Sequence, residues 1–262
     1  MRIPFFHRKE PEREYDRPEP TVLPDMKHGF LSALYLGART GGDFYDVVMV
    51  PKTERIVFLL LDIAGKREHA LHIAADVQKA FRSRVPLCFQ DGVANEAEEL
   101  THLLLRVNRA IIDSVGGSHF CPAFVGSYNQ QLGILFYANA GHTPGMLRDS
   151  GGVSLLNASG IPLGLFSHVT HDAQMQVLEP GAALVLVSRG LVECKQRAKE
   201  KEYGIERAQG LVENAQYADA HQICSAILED AKKYVGANKS ENDWTTFALV
   251  RSKAMQSAVS GT

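Results

Sequence analysis

Residues 41–65 read GGDFYDVVMVPKTERIVFLLLDIAG and contain two strand-length apolar runs separated by a turn. The first run, 43–50, follows a Gly-Gly pair, and residues 51–53 between the runs are Pro, Lys and Thr, a composition typical of a break between strands. The second run, Ile56 to Leu61, is continuously apolar, as in a strand that is buried on both faces. This stretch therefore predicts two neighbouring strands, the second of them central in its sheet.

The sequence on either side of this stretch alternates between strand and helix patterns. The run LSALYLGA precedes it at 31–38, and two amphipathic helices follow near 66–84 and 96–114, where apolar residues recur every three or four positions. Further strand patterns, two shorter helices and a last strand complete the chain. This order predicts an α+β sandwich of two antiparallel β-sheets packed face to face, with helices outside and both long helices on one outer side.

The domain organisation follows from composition. Residues 1–25 are charged and Pro-rich, which predicts a flexible arm or, alternatively, a docking peptide that orders on a partner. Residues 26–253 form one folded domain in this interpretation, and 254–262 are a disordered tail. No secretory signal or membrane helix is predicted, because no window approaches the ~18 apolar residues that a membrane span needs.

Charge and cysteine usage exclude several classes of function. Among 262 residues, 28 Lys and Arg face 30 Asp and Glu, for a formal charge of −2, which argues against a nucleic-acid binder with a basic face. The four cysteines include no CxxC pair, so neither a zinc knuckle nor a disulfide scaffold is indicated, and we expect reduced thiols in a cytoplasmic protein. His69, His72 and His102 are interpreted as surface or stripe-edge residues rather than metal ligands.

Two aspartates stand at the ends of the predicted strands. Asp43 begins the first run and Asp62 ends the second, so a hairpin would bring both carboxylates to the same end of the sheet. Two close carboxylates repel unless a cation or a shared proton lies between them, and hard oxygen ligands suit Mg²⁺ or Mn²⁺. Because Asp at a strand end is most often a turn former, spacing alone makes this a weak signal.

A set of motifs in fixed order is much more specific. They are GGDFYDVV, LLLDIAGK, LFYANAGHTPGMLR, GIPLGL, EPGAALVLVSRGLVECK, YGIER and ENDWTTFALV. Together they resemble the metal-dependent PPM-type (protein phosphatase 2C-like) serine/threonine phosphatases, in the branch of the bacterial sporulation phosphatase SpoIIE. The resemblance runs from about Phe30 to Val250 and implies the same sandwich fold.

The resemblance also implies a metal centre. In this family two Mn²⁺ or Mg²⁺ ions hold the water that attacks a serine phosphate, so no side chain of the protein is needed as a nucleophile. The metal positions that the resemblance assigns here are Asp43, Asp62, the carbonyl of Ile63, Asn242 and Asp243. NAGH at 139–142 and PLG at 162–164 also match, and they are assigned structural roles because Gly permits positive φ in such turns.

Two metal positions depart from the family pattern, and Arg67 replaces the final Gly of the family stretch that begins at Asp62. The family's Thr-Asp-Gly reads Ser188-Arg189-Gly190, and its closing Asp-Asp pair reads Asn242-Asp243. An Arg in place of a carboxylate opposes divalent ions, whereas its planar fork pairs well with carboxylates. We therefore expect Arg189 to occupy the substituted metal position by pairing with Asp62 or Asp43. The alternative is that Arg189 points to solvent and Asp243 replaces Asn242, leaving one weak metal site.

Two functions follow from the resemblance. One is an active Mn- or Mg-dependent protein-serine phosphatase, and the other is a pseudophosphatase whose altered metal site reduces or abolishes activity. Either would act in partner-switching signalling on a phosphoserine protein of anti-anti-sigma type or with its cognate kinase, in the cytoplasm, with a homodimer as an open possibility. Neither nucleic acid nor a membrane is expected as a partner.

Overall fold

The computed structural model describes residues 16–37, 42–90, 95–114, 119–196, 201–215, 219–236 and 242–253. Within these residues the chain forms strands and helices in the following order. The strands are β1 Gly29–Leu36, β2 Asp43–Val50, β3 Arg55–Asp62, β4 Ala123–Asn129, β5 Ile134–Ala140, β6 Gly145–Asp149, β7 Gly152–Leu156, β8 Gln174–Val177, β9 Ala183–Val187 and β10 Trp244–Arg251. The helices are α1 Arg67–Cys88, α2 Glu96–Ser114, α3 Arg189–Val192, α4 Ile205–Glu213 and α5 Ala220–Val235.

The strands form two five-stranded antiparallel sheets. One has the order β1-β10-β9-β6-β7 and the other β2-β3-β4-β5-β8. In the second sheet β2 and β3 pair as a hairpin with β3 inside the sheet, as the apolar runs predicted. The predicted α+β sandwich of two antiparallel sheets with helices outside is confirmed.

Strand β3 shows why its sequence is apolar at every position. Val57, Leu59 and Leu61 belong to the core layer shared with α1 and α2. The alternate residues Ile56, Phe58 and Leu60 belong to the layer between the two sheets, because successive side chains of a strand point to opposite faces. Burial on both faces therefore replaces the polar-apolar alternation of a half-exposed strand.

The helices cover the outer faces of the sandwich. Apolar stripes of α1 and α2 pack together on the outer face of the β2-to-β8 sheet, so the prediction of both long helices on one side is confirmed. Helices α4 and α5 pack on the outer face of the other sheet. Helix α1 extends to Cys88 rather than ending near 84. The buried side chains of Val85 and Cys88 pack its last turn against the core, so the helix continues past Pro86.

Residues 16–26 lie against the second sheet and α1. The backbone N–H of Glu19 donates to Gln78 Oε1 at 2.7 Å, and Gln78 Nε2 donates to the Glu19 carbonyl at 2.9 Å. The Thr21 hydroxyl donates to Asp46 Oδ1 at 2.9 Å, and Leu23 and Met26 pack against the layer between the sheets. A freely mobile arm would not make these contacts; residues 1–15 and 254–262 lie outside the described residues.

Two further features bear on the sequence predictions. All four cysteines are buried and free, as expected for a chain without a disulfide framework. Among the helices that the structure describes, none is both long and apolar enough to cross a membrane.

Candidate functional site

The β2–β3 hairpin brings two carboxylates together at one end of its sheet. Asp43, the first residue of β2, lies directly opposite Asp62, the last residue of β3. The N–H of Ile63 donates to the Gly42 carbonyl at 2.6 Å and extends the pairing beyond the strands. The sequence prediction that both carboxylates reach the same end is confirmed.

The other sheet contributes the opposite wall of the site. Asp243 immediately precedes β10, and its Oδ2 accepts a hydrogen bond from the Gly42 N–H at 2.6 Å. The Thr245 hydroxyl donates to Asp43 Oδ2 at 2.8 Å, across 202 residues of sequence. These two bonds tie the ends of the sheets together where the carboxylates lie.

The site is a cleft of about 240 Å³ between these sheet ends. Its lining contains every position that the resemblance assigned to the metal centre, the substituted position 189, and small residues of the connecting loops: Gly42, Asp43, Asp62, Ile63, Ala64, Gly65, Arg189, Gly190, Asn242 and Asp243. The predicted convergence of distant positions is present in the structure. Their roles as metal ligands remain a prediction.

Arg189 forms an ion pair inside this cleft. Its Nε donates to Asp62 Oδ2 at 2.8 Å, where the Arg189 side chain is 44% exposed and that of Asp62 only 12%. The expected pairing of Arg189 with Asp62 is therefore confirmed, and the alternative in which Arg189 points to solvent is not the arrangement found.

A glycine sets the position of Arg189. A Cβ on Gly190 would lie 2.3 Å from the backbone oxygen of Asp243, so only Gly allows α3 to approach the segment before β10 this closely. The Ser188 hydroxyl adds a second link, since it accepts from the Thr245 N–H at 3.0 Å. The loop thus holds residue 189 at the cleft whatever side chain stands there.

Burial dominates the electrostatics of the two carboxylates. It raises the pKa of Asp43 to about 7; hydrogen bonds from Ser188 and Thr245 oppose this rise, and the charges of Asp62 and Asp243 add to it. Burial also raises the pKa of Asp62, while the neighbouring Arg189 guanidinium acts in the opposite direction. Ionising the two buried carboxylates therefore costs free energy, and the positive charge of Arg189 offsets part of that cost.

This shift predicts a pH dependence of stability in chelator-containing buffer. An unfolded Asp titrates near pH ~3.9, so between about pH 4 and the folded pKa of about 7 the folded state binds the extra proton at Asp43. The stability that this proton confers is fully present below about pH 4 and is lost as the pH rises to 7. We expect Asp43→Asn to remove this loss, so that its stability relative to the parent is greater at pH 8 than at pH 4.5.

Urea unfolding at the two pH values measures this effect. The matched control is Asp113→Asn, which changes a carboxylate that is 56% exposed on α2. If both variants show the same pH dependence as the parent, Asp43 is not the titrating group.

Three residues of the site were given no role by the sequence analysis. Thr245 and Ser188 hydrogen-bond to Asp43, and Tyr35 hydrogen-bonds to Asp243. Burial is the main cause of the raised pKa of the Tyr35 phenol, and the charge of Asp243 and this hydrogen bond add to it. Tyr35 lies opposite Thr245 in the β1–β10 pairing. Thr245 and Ser188 lie within quoted motifs, whereas Tyr35 lies only in the strand-like run at 31–38.

The NAGH and PLG motifs take structural roles, as predicted. Asn139 is fully buried, and its Oδ1 accepts from the His142 N–H at 2.8 Å. Burial lowers the pKa of His142 to about 4, so the ring is neutral at physiological pH. Gly141 and Gly164 have φ values of +75° and +86°, where a side chain is strained.

Gly164→Ala is expected to destabilise the protein by about 2–4 kcal/mol. Its Cβ would meet the backbone oxygen of His119 at 2.0 Å in addition to the positive φ. Gly210→Ala is the matched control, since a Cβ there meets no atom within 4 Å and Ala in a helix stabilises by about 0.5–1 kcal/mol. Urea unfolding of both variants measures whether their changes in the free energy of unfolding have opposite signs. Equal changes would contradict the structural role given to Gly164.

The carboxylates of the cleft each have a partner within the protein. Across the ranges given above, no group of three or more His, Cys, Asp or Glu side chains is arranged to hold a metal ion. The carboxylates that do converge are engaged: Asp62 with Arg189, Asp243 with Gly42 and Asp43 with Thr245.

Fold and site together define a PPM-type, protein phosphatase 2C-like domain. The family model described as Stage II sporulation protein E (SpoIIE) matches residues 52–252. The chain therefore belongs to the SpoIIE family, and the resemblance read from the motifs is confirmed.

Individual relatives agree with this assignment. The chain is 27% identical over 178 residues to the phosphoserine phosphatase RsbU of Bacillus subtilis, which covers 67% of this chain and 50% of RsbU. The chain thus spans half the length of that relative.

Solved structures share the fold. A structure of the RsbU and RsbW domains of a Mycobacterium tuberculosis protein matches with a TM-score of 0.70 and 23% identity, over 88% of this chain and 63% of that one. The SiaA-PP2C domain of Pseudomonas aeruginosa matches with a TM-score of 0.69 and 16% identity, over 84% and 85%. At these identities the likeness supports the fold alone.

Proposed function

We propose that this protein acts in serine-phosphoprotein signalling by partner switching, with a cleft in which a guanidinium takes the place of a metal ion. In this proposal it binds a phosphoserine protein of anti-anti-sigma type, or the cognate kinase, in the cytoplasm. Metal-dependent hydrolysis is reduced or lost. The relationship to RsbU supports the signalling class, and the substituted cleft supports the loss of activity.

The observation that carries the proposal is the 2.8 Å ion pair between Arg189 and Asp62. Two unit charges about 4 Å apart at an effective dielectric near 20 interact by roughly 4 kcal/mol, and a divalent ion doubles that repulsion with the guanidinium. Any metal at this carboxylate must therefore displace or oppose Arg189.

The donor set leads to the same inference. A pair of divalent ions brings about four positive charges, which several carboxylates must neutralise. Here Asn242 offers a neutral amide and Arg189 adds a positive charge, so the residues present do not fit a two-metal centre. Asp43 and Asp62 are instead held in place by Thr245 and Arg189.

A second candidate is an active Mn²⁺- or Mg²⁺-dependent protein-serine phosphatase. Membership of the SpoIIE family and the retained Asp43 and Asp62 favour it. For this candidate Arg189, which is 44% exposed, has to turn out of the cleft when metal binds.

Calorimetric titration with Mn²⁺, together with hydrolysis of p-nitrophenyl phosphate, separates the two candidates. We expect no saturable Mn²⁺ binding with a dissociation constant below about 1 mM, which corresponds to a binding free energy of roughly 4 kcal/mol. We also expect no Mn²⁺-dependent turnover. A turnover of about 1 s⁻¹ or faster, in the range of ordinary enzymes, would establish the active phosphatase instead.

A further inference from the structure

The last strand of the β2-to-β8 sheet carries an apolar face. In the pairing of β8 with β5, Met175 lies directly opposite Phe136. Val177 lies directly opposite Ile134 in the same pairing. Residues that face each other across two antiparallel strands project to the same side of the sheet, so these four side chains form one surface, which we call the β5–β8 face.

The β5–β8 face lies on the side of the sheet that α1 and α2 cover, but it extends beyond these helices. Phe136 packs against the core that the sheet shares with them, whereas Met175 is 55% and Val177 is 54% exposed. The alternate residues of β8 point to the other side, where the Tyr137 hydroxyl donates to Gln174 Oε1. The part of the face on β8 is therefore open to solvent.

The backbone of β8 also lies at an edge. Among the strands that the structure describes, β8 pairs with β5 alone and ends the sheet. The opposite edge strand, β2, contacts the chain's own residues 16–26, whose Thr21 hydroxyl donates to the Tyr45 carbonyl at 2.9 Å. Proteins often protect an edge strand with Lys or Pro, and the β8 sequence QMQV contains neither. An uncharged edge with apolar side chains is suited to pairing with another strand.

A second copy of β8 is complementary to this edge. A two-fold axis perpendicular to the sheet makes the two β8 strands antiparallel and keeps both apolar faces on one side. With Gln176 on the axis, Met175 of each copy lies opposite Val177 of the other. Cross-strand apolar pairs of this kind stabilise a sheet, and the symmetry forms the pair twice.

The position of the axis follows from what each alternative places across the strands. With the axis at Val177, Met175 would face the carboxylate of Glu179. With the axis at Met175, Val177 would face the small side chain of Ala173. With the axis at Gln176, Glu179 faces Ala173, so no like charges meet there and both large apolar side chains have apolar partners.

We propose that β8 is a self-association edge, through which two copies of this chain form one continuous antiparallel sheet and bury Met175 and Val177 of both. This inference does not depend on the proposed function. A strand of four residues forms few hydrogen bonds, so the interface is at the small end of the range for specific complexes. We expect a dissociation constant of about 10–100 µM.

Pairing at this edge leaves the clefts of both copies accessible. The cleft lies at the ends of β2 and β3, and β2 is at the edge opposite β8. With strands about 4.8 Å apart, the two β2 strands of the dimer are roughly 40 Å from each other. The dimer therefore presents two separate clefts at its far edges.

Disulfide crosslinking tests both the pairing and its register. In the proposed dimer, residue 176 lies opposite its symmetry mate with about 5 Å between the Cα atoms, a separation that a disulfide spans. Gln176→Cys is therefore expected to give a covalent dimer in mild oxidant. Gln174→Cys is the matched control, because its symmetry mate lies four residues along the partner strand, about 14 Å away. The native thiols are all buried and do not compete.

We expect the yield of covalent dimer with Gln176→Cys to exceed that with Gln174→Cys by at least about tenfold, because only the first pair is within disulfide range. Equal yields indicate random collision and overturn the pairing. A higher yield with Gln174→Cys overturns the register, and the absence of covalent dimer with both variants overturns the proposal.

Sedimentation equilibrium measures the association without an introduced thiol, at protein concentrations from about 1 µM to about 1 mM. Val177→Lys places a charge in the paired edge and is expected to raise the dissociation constant by at least about tenfold. Val22→Lys makes the same substitution at a side chain that is 80% exposed beside the opposite edge strand, and it should leave the constant unchanged. Circular dichroism confirms that both variants are folded. A parent that stays monomeric throughout, or equal constants for the two variants, contradicts the proposal.

Discussion

Arg189→Asp combined with Asn242→Asp is expected to lower the dissociation constant for Mn²⁺ by at least about tenfold, equivalent to 1.4 kcal/mol. Each substitution adds a carboxylate to the lining of the cleft, and the first also removes the guanidinium that now pairs with Asp62. Calorimetric titration of the parent and the double variant measures the change. Mn²⁺-dependent hydrolysis of p-nitrophenyl phosphate should rise with it.

The control for this experiment carries the same changes of charge outside the cleft. Arg109→Asp with Asn214→Asp alters two exposed positions on α2 and at the end of α4, so it reproduces the change in net charge without adding a ligand. If the control tightens Mn²⁺ binding as much as the cleft variant does, the effect is one of overall charge. If neither variant binds better than the parent, Arg189 and Asn242 are not what weakens the site.

The two single variants separate the contributions. Arg189→Asp changes the local charge by two units, whereas Asn242→Asp changes it by one, so the first should account for most of the gain. Recovery of hydrolysis is expected to be incomplete, because a metal centre works only when its ligands lie within about 0.5 Å of the productive geometry. Arg67 also stands close to the cleft, where its charge opposes the raised pKa of Tyr35.

The fold could be predicted from the sequence because its central elements leave simple patterns. The continuous apolar run of β3 reflects burial between α1–α2 and the sheet that contains β10. Helix α2 spans Glu96–Ser114, the range that its apolar spacing indicated. The end of α1 could not be placed as well, because Pro86 signals a break that packing of Val85 and Cys88 overrides.

The site was only partly accessible to sequence reasoning. The apolar runs predicted two neighbouring strands with Asp43 and Asp62 at their ends, but only the ordered set of motifs connected these residues with Arg189 and Asn242-Asp243. Tyr35 could not be found, because its contact with Asp243 depends on the pairing of β1 with β10. Long-range pairings of this kind have no local signature in the sequence.

Composition alone also does not predict the contacts that residues 16–26 make with the folded domain. Their charged, Pro-rich composition indicates mobility, yet their partners are polar groups on distant elements: Gln78 and Arg82 on α1 and Asp46 on β2. Asp46 is fully buried and Gln78 is 4% exposed. Burying such groups without partners is costly, so the segment completes a polar network that the rest of the domain cannot satisfy alone.

Asp46→Ala is therefore expected to lower the free energy of unfolding by about 2–4 kcal/mol. The buried carboxylate receives Nε and a terminal nitrogen of Arg82 at 2.8 and 3.1 Å, as well as the Thr21 hydroxyl at 2.9 Å. Its removal takes away the buried acceptor of the guanidinium, which keeps only Glu19 and the Pro20 carbonyl, and leaves the hydroxyl with the Tyr45 carbonyl alone. The Arg82 side chain is 32% exposed and can turn to water, which keeps the cost below that of a fully buried pair.

Asp16→Ala is the matched control, because it removes a carboxylate of the same segment that pairs with α1 at the surface. Asp16 and Lys79 are 61% and 66% exposed, and ion pairs in that setting contribute little, so no measurable change is expected. Urea unfolding of both variants measures the contrast, and limited proteolysis shows whether residues 16–26 detach. If Asp46→Ala is as stable as Asp16→Ala, the buried network does not hold the segment, and the apolar contacts of Leu23 and Met26 must do so instead.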